Sequence, residues 1–185
     1  MLVNKKSYQS IWIDYLNKIK IIDQTLLPFE FKVIELESLE SIAEAIINMR
    51  VRGAPLIGVT AAFGMYLSIK KSNLEEDIIK ARDCLVSTRP TAINLKWAVD
   101  RMVEKIIKTK KELREVEALA IAKQMHVDDQ NINEMIGNVG AKIIKKIYEE
   151  KNKTINILTH CNAGWLATVD WGTATAPIYK ARDLG

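Results

Sequence analysis

Two arginine residues lie where two predicted helices begin, each next to or near a proline that suits the first helical position. They are Arg52 in the sequence RGAP and Arg89 in the sequence RPTA. A cation at a helix N-terminus is unfavourable because it meets the positive end of the helix dipole, but a bound anion reverses that sign. Free backbone N–H groups and a guanidinium group together suit a phosphate. The alternative is that each arginine pairs with a carboxylate or lies in solvent.

A cysteine near the end of the chain provides the second candidate chemistry. Cys161 follows an apolar run and precedes the small residues Ala163 and Gly164. Residues 155–164 predict a buried strand followed by a turn, which would deliver the cysteine at the carboxyl end of a strand, where α/β proteins place their ligands. A helix beginning nearby would favour the nucleophilic thiolate. The alternative for Cys161 is a packed structural cysteine, the class expected of Cys84 on an apolar helix face.

The elements that position these residues follow from periodicity. Apolar residues alternate or run together in three N-terminal stretches, which predicts a small antiparallel sheet over residues 10–14, 18–23 and 29–36. Helical spacing predicts seven helices, over residues 39–49, 55–69, 73–86, 90–108, 111–125, 131–150 and about 171–183.

Two details of this helical block are specific. Ser38 is the expected N-cap of the first helix, with Ser41 as the competing candidate. The segment 55–69 is apolar on most faces, so we expect a buried central helix. Gly58 and Gly64 within it indicate close approach of neighbouring helices.

Composition narrows the functional classes. The 185-residue chain is 48% hydrophobic and 27% charged, which is typical of a globular protein with a core. Its net charge of +4 is small and dispersed, so we expect no nucleic-acid partner, although a phosphorylated small molecule fits. The cysteines and histidines lack metal-ligand spacing, so no metal site is expected. The sequence shows no signal-peptide pattern or membrane span, which favours a cytoplasmic protein without a membrane partner.

The motifs together resemble a known family. The R-G-A-P sequence at 52–55, the R-P-T-A sequence at 89–92 and the H-C-N-A-G sequence at 160–164 occur in the order and spacing of the methylthioribose-1-phosphate isomerases, over essentially the whole chain. That family is grouped with archaeal ribose-1,5-bisphosphate isomerases and with regulatory subunits of eukaryotic initiation factor two B. The second and third motifs together are specific, whereas R-G-A-P also occurs across relatives.

The resemblance implies an α+β fold and an activity. The fold comprises an antiparallel β subdomain over residues 1–36, a helical domain over 37–152 and, over 153–185, the first strand–helix unit of a Rossmann-like catalytic domain. The activity is the aldose–ketose isomerisation of 5-methylthioribose 1-phosphate to 5-methylthioribulose 1-phosphate in methionine salvage. The resemblance implies no metal or organic cofactor, and a homodimer in the full-length form.

The resemblance also implies roles for individual residues. Carried over by position, Arg52, Gly53, Ala54 and Arg89 bind the substrate, mainly its phosphate, and Cys161 is a catalytic residue at the reacting carbons. The family's catalytic acid is an aspartate in a G-A-D-R motif, which this sequence lacks. We therefore expect an incomplete and inactive N-terminal portion of such an enzyme.

Two departures from the family pattern bear on the substrate. Trp165 follows H-C-N-A-G where a small or slim residue is usual, and V-D-W-G-T, containing Trp171, replaces the commoner G-Y-G-T. One alternative is therefore an isomerase for ribose 1,5-bisphosphate or a deoxyribose 1-phosphate. Another is a non-catalytic regulatory subunit resembling those of initiation factor two B.

Overall fold

The computed structural model describes residues 1–185, in which five short strands precede six α-helices. The strands are β1 (Leu2–Val3), β2 (Lys6–Ser7), β3 (Ile11–Ile13), β4 (Ile19–Ile22) and β5 (Val33–Leu36). The helices are α1 (Leu39–Ile47), α2 (Ala54–Lys71), α3 (Glu75–Thr88), α4 (Ile93–Lys108), α5 (Arg114–Lys151) and α6 (Ala176–Asp183). Short 3₁₀ turns occupy Lys111–Leu113 and Trp165–Ala167. None of the helices combines the length and apolarity needed to cross a lipid bilayer.

The predicted antiparallel sheet is confirmed, with shorter strands than expected. β3, β4 and β5 pair in that order, with Ile11 opposite Ile21 and Ile21 opposite Ile34. Ile11 and Ile21 are fully buried, whereas Lys20 on the other face pairs with Asp14 at 2.8 Å. The alternation of the sequence thus gives one apolar and one polar face. The hairpin of β1 and β2 was not predicted, since residues 2–7 carry little apolar alternation.

α2 is the central helix, as its composition predicts. It packs against α1, α3, α4 and α5, and most of its residues are buried. Its glycines allow the close packing that was expected. A Cβ on Gly58 would lie 3.1 Å from the Asn94 carbonyl oxygen of α4, and one on Gly64 would lie 2.8 Å from the Ile42 side chain of α1.

The first helix begins at the predicted cap. The Ser38 hydroxyl accepts a hydrogen bond from the Ser41 N–H at 3.2 Å, and the Ser41 hydroxyl accepts one from the Ser38 N–H at 3.0 Å. The two candidate serines therefore form a reciprocal capping box instead of competing.

The two helices predicted over 111–125 and 131–150 are one continuous helix, α5, so that prediction was wrong. The stretch between them is polar, and Asp and Asn side chains can compete with the helical backbone for hydrogen bonds. In the structure these side chains bond within the helix. Gln124 donates to Asp128 at 2.7 Å, and the Asn133 amide donates to the Asp129 carbonyl oxygen at 2.8 Å.

The strand predicted over residues 155–164 is absent. A strand needs a neighbour to take its backbone hydrogen bonds, and no strand of this chain lies beside residues 153–162. Leu158 is consequently 96% exposed instead of buried. The last helix begins at Ala176 and not near Trp171, because Trp171 and Gly172 both adopt left-handed backbone angles, with φ values of 71° and 77°.

Candidate active site

The start of α2 is built around a glycine. Gly53 is the N-cap residue and has a φ of 104°, a conformation that favours glycine. A Cβ at this position would lie 2.5 Å from the Cα of Ala167, so the helix start and the Trp165–Ala167 turn touch backbone to backbone. Pro55 lies in the first helical turn, as predicted, and no side chain caps the helix. The first-turn N–H groups are therefore without a side-chain acceptor.

The start of α4 differs from the prediction. α3 continues to Thr88, Arg89 follows as its C-terminal cap residue, and Pro90 lies in the turn between the two helices, not in the first turn of α4. The Ala92 N–H closes this turn on the Arg89 carbonyl oxygen at 2.9 Å. Ala92 is the N-cap of α4 and, having no polar side chain, leaves that helix start uncapped as well.

The two helix starts lie side by side. The close approach of Gly58 to Asn94, each in the early turns of its helix, places the N-terminal turns of α2 and α4 together. We call these two turns the helix-start pair. Both present uncapped backbone N–H groups. Because the positive ends of the two helix dipoles are adjacent, both raise the positive potential at this place. This arrangement suits an anion.

Arg52 and Arg89 have no ion pair, in contrast to Arg50, Arg82, Arg114 and Arg182. Arg50 pairs with Asp23 and Glu44, whereas Arg52, two residues later, is exposed and makes no side-chain hydrogen bond. Arg89 is half-buried and likewise bonds no carboxylate. The structure therefore does not support pairing of these two arginines with acidic side chains, whereas the exposed Arg52 fits the other alternative, an arginine in solvent.

Cys161 lies on a segment whose backbone is not hydrogen-bonded to the backbone of the rest of the chain. Residues 153–162, which we call the cysteine segment, form no backbone–backbone hydrogen bond, and Cys161 itself is exposed with a φ of 84°. A non-glycine residue in this conformation is uncommon. Cys84, expected to be a packed cysteine, is also exposed, so that expectation was wrong.

Immediately after Cys161 the chain becomes ordered by contacts. The Ala163 carbonyl oxygen accepts hydrogen bonds from the Thr173 N–H at 3.0 Å and from the Thr175 hydroxyl at 3.2 Å. A Cβ on Gly172 would lie 2.5 Å from the Gly164 carbonyl carbon. We call residues 163–175 the anchor loop. It holds the end of the cysteine segment at a fixed place beside the start of α2.

The anchor loop is tied to the sheet end of the molecule. The Gln24 amide donates to the Leu166 carbonyl oxygen at 2.8 Å, and the Ser10 N–H donates to the Val169 carbonyl oxygen at 2.9 Å. Of the two unusual tryptophans, Trp165 is half-buried and Trp171 lies under the Lys180 ammonium group at 3.8 Å.

Sequence reasoning missed Asp129 of α5. Its carboxylate accepts a hydrogen bond from the Val169 N–H of the anchor loop at 2.7 Å. Burial raises the pKa of Asp129 to about 6, against the lowering effect of the hydrogen bonds from Val169 and Asn133. A signal existed in the sequence: Asp129 follows Met125 and precedes Asn133 at intervals of four, and both of those residues are buried.

A cleft adjoins the helix-start pair. It has a volume of about 490 Å³ and lies between α2, α4 and α5, with Thr173 of the anchor loop at its edge. Its walls combine apolar side chains such as Trp97 and Ile132 with Arg101 and Asp129. His, Cys, Asp and Glu side chains nowhere gather in a group of three placed to hold a metal ion.

The structure thus brings together some predicted site residues and not others. Gly53 and Ala54 lie where the anchor loop meets α2, and Arg52 precedes them. Arg89 belongs to the neighbouring helix start. Cys161 lies two residues before the anchor loop, without a contact that fixes its thiol.

Comparison with known proteins identifies the family. The model of the initiation factor 2 subunit family matches residues 50–185, which include all five predicted site residues. Methylthioribose-1-phosphate isomerases from Paramagnetospirillum magneticum and Escherichia coli are 50% and 47% identical to this chain over its whole length. The chain spans 51% of each of these relatives, about half their length.

Two solved structures share the fold. A translation initiation factor eIF-2B subunit delta from A. fulgidus matches 97% of this chain with a TM-score of 0.82 and 36% identity. A 5-methylthioribose 1-phosphate isomerase from Pyrococcus horikoshii matches 95% of it with a TM-score of 0.77 and 37% identity. The chain spans 52% and 50% of those two proteins. The small antiparallel sheets and surrounding helices are therefore the fold of these relatives, and the chain belongs to the initiation factor 2 subunit family.

Proposed function

We propose that this chain carries the phosphate-binding and cysteine-bearing half of an aldose–ketose isomerase site for 5-methylthioribose 1-phosphate. The observation that carries the proposal is the backbone contact between Gly53 and Ala167. It joins the R-G-A-P helix start to the loop that follows H-C-N-A-G, so two motifs distant in the sequence belong to one place. The names of the two curated isomerases described above supply the reaction.

In this proposal the helix-start pair binds the phosphate. Arg52 and Arg89 supply positive charge, and the first-turn N–H groups of α2 and α4 supply donors. Gly53 and Ala54 contribute backbone groups at this helix start, and the exposed Ala54 has a small side chain that lets the sugar phosphate approach them. A fixed phosphate orients the sugar for the chemical step.

Cys161 is the proposed catalytic residue. The phosphate occupies C1 of the cyclic aldose, so the ring must open before hydrogen moves from C2 to C1. A thiol beside these carbons can take part in that hydrogen transfer, while a carboxylic acid outside residues 1–185 protonates the ring oxygen. In the proposal the reaction needs no metal or organic cofactor.

The wider setting of the site is part of the same proposal. Residues 153–185 are proposed to be the first unit of a Rossmann-like domain, in which the unbonded backbone of the cysteine segment joins a sheet. The complete protein is proposed to be a cytoplasmic homodimer. The twofold greater length of the relatives and the lack of backbone hydrogen bonds over residues 153–162 support the proposed Rossmann-like unit.

Two other functions have specific support. The likeness to the eIF-2B subunit favours a non-catalytic regulatory subunit. Trp165 and Trp171, unusual at their positions, favour a different sugar phosphate such as ribose 1,5-bisphosphate or a deoxyribose 1-phosphate. Cys161, exposed and in an uncommon backbone conformation, favours an enzyme over a regulatory subunit.

A chimeric enzyme tests the proposal. Residues 1–185 replace the matching half of the P. magneticum relative, and turnover is measured with the three sugar phosphates. We expect turnover of 5-methylthioribose 1-phosphate that is abolished by Cys161→Ser and unaffected by the matched control Cys84→Ser, on the equally exposed second cysteine. Turnover that survives Cys161→Ser contradicts the assigned role. A folded chimera that turns over none of the three sugars supports the regulatory alternative.

A further inference from the structure

The carboxylate of Asp129 accepts a hydrogen bond from the backbone of Val169, a buried residue of the anchor loop. Its Oδ2 accepts from the Val169 N–H at 2.7 Å, and on the other side the Val169 carbonyl oxygen accepts from the Ser10 N–H at 2.9 Å. Val169 has no exposed area. The N–H and the carbonyl oxygen of Val169 are therefore both bonded to distant parts of the chain, the first to α5 and the second to Ser10, which precedes β3.

We propose that Asp129 is a positioning residue: its carboxylate fastens the anchor loop to α5 and thereby fixes where the cysteine segment leaves the start of α2. The importance of this for catalysis rests on the isomerase function proposed above, whereas the fastening itself does not. Asp129 is not proposed to touch substrate.

The contacts between Val169 and the site form an unbroken series. Ala167, two residues before Val169, packs on Gly53, and the Thr168 hydroxyl accepts from the Gly172 N–H at 3.1 Å. The Thr173 N–H then donates to the Ala163 carbonyl oxygen at 3.0 Å. We expect the loss of the bond between Val169 and α5 to weaken all of these contacts, because each of them depends on the anchor loop staying folded.

The surroundings of Asp129 contain other charges but no ion pair to it. The nearby charged or titratable groups are Arg101 of α4 in the shared cleft, Asp128 and His126 of α5, and Asp170 of the anchor loop, which pairs with the Met1 ammonium group at 3.1 Å. Burial lowers the pKa of His126, so this histidine also titrates below neutral pH. A pH experiment must therefore separate Asp129 from His126.

The sign of the pH effect follows from linkage. Burial raises the pKa of Asp129 to about 6, and in an opened loop the carboxyl returns to its ordinary value near 3.8. The fastened form therefore binds a proton more readily than the opened form, and it gains stability as the pH falls through 6. Between pH 7.5 and pH 5 the fastened-to-open ratio is expected to rise roughly tenfold. A protonated carboxyl still offers its carbonyl oxygen to the Val169 N–H.

Hydrogen exchange of the anchor-loop amides in the 185-residue chain tests the proposal without any substrate. We expect Asp129→Ala to lower the protection of the Val169 amide by about tenfold or more, because a buried N–H loses its acceptor. The protection of the Ala167 and Thr173 amides should fall with it. The matched control is Asp128→Asn, whose carboxylate bonds Gln124 on the same helix and should leave all three amides protected. Loss confined to Val169 overturns the proposal, since Asp129 would then be only a local cap.

A conservative variant keeps the test decisive if Asp129→Ala unfolds the chain. Asp129→Asn retains a neutral acceptor, so at pH 7.5 it should protect Val169 at least as well as the wild type. It should also remove the tenfold rise between pH 7.5 and pH 5, measured after correction for intrinsic exchange, while any contribution of His126 stays. A wild-type rise that persists in Asp129→Asn contradicts the role of this carboxylate.

The chimera separates this inference from the proposed function. If the chimera is active, Asp129→Ala should lower kcat by more than it raises KM, because the phosphate anchors remain in place. If the chimera is folded but inactive, the isomerase proposal fails while the exchange results still decide whether Asp129 fastens the loop.

Discussion

The helix-start pair and the cysteine segment are opposite kinds of structure, although the proposed site needs both. α2 packs against four other helices and is a continuous helix of 18 residues, 12 of them buried. Residues 153–162 make no backbone–backbone hydrogen bond and leave Leu158 almost fully exposed. The proposed binding groups are thus held by packing within this chain, whereas the proposed reactive residue, Cys161, is held only by the residues that follow it.

The two halves of the proposed site are therefore positioned by different interactions. Arg52 and Gly53 are positioned by a helix that cannot move without disrupting the core. Cys161 is positioned by the anchor loop two residues later and by nothing before it. A site with one rigid and one weakly held half can bind the charged end of a ligand before its reactive residue is in place.

The largest expected effect is a contrast in hydrogen exchange between the two regions. Amides in the middle of α2 should be protected by at least a thousandfold, because they open only when much of the core unfolds. Amides of residues 154–160 should exchange near the intrinsic rate, since none is hydrogen-bonded to the backbone. Exchange measured by NMR on the 185-residue chain checks this, and strong protection of residues 154–160 would contradict the structure of the cysteine segment.

A substitution at the contact between the helix-start pair and the anchor loop, which follows the cysteine segment, should have the next largest effect. Gly53→Ala adds a Cβ 2.5 Å from the Ala167 Cα and forces alanine into a φ of 104°, so we expect it to lower the free energy of unfolding by about 2–4 kcal/mol. Chemical denaturation measures this change. The control is Gly164→Ala, where the added Cβ meets nothing within 4 Å and should cost less than about 1 kcal/mol. Equal losses in the two variants would show that the contact with Ala167 is not formed.

The sequence predicts the structure of the helical region well and that of the cysteine segment poorly. The central helix, the cap at Ser38 and the close packing at Gly58 follow from composition and local chemistry, and the structure confirms them. These features depend on residues that are close in sequence or on the burial of one apolar helix. Local signals are sufficient there.

The failures concern interactions that no local pattern contains. The apolar run before Cys161 predicts a strand, but a strand forms only beside another strand, and no strand of this chain lies next to the run. The break predicted within α5 is absent because Asp128 and Asn133 bond to neighbours on the same helix. The role of Asp129 depends on Val169, forty residues away, and only its spacing from Met125 and Asn133 hinted at burial.

The smallest effect that we predict concerns the phosphate affinity of the helix-start pair. Arg52→Gln should weaken the binding of inorganic phosphate to the 185-residue chain by roughly tenfold, because a charge-assisted hydrogen bond contributes about 1.5 kcal/mol more than the water it replaces. Titration followed by NMR at low salt measures the affinity and maps the shifted amides, which should include the first turns of α2 and α4. The matched control is Arg182→Gln, since Arg182 is an exposed arginine paired with Asp183 far along the chain. If both variants bind phosphate as the wild type does, the helix-start pair is not the anion site. The first turns of α2 and α4 would then keep their structure but lose their proposed function.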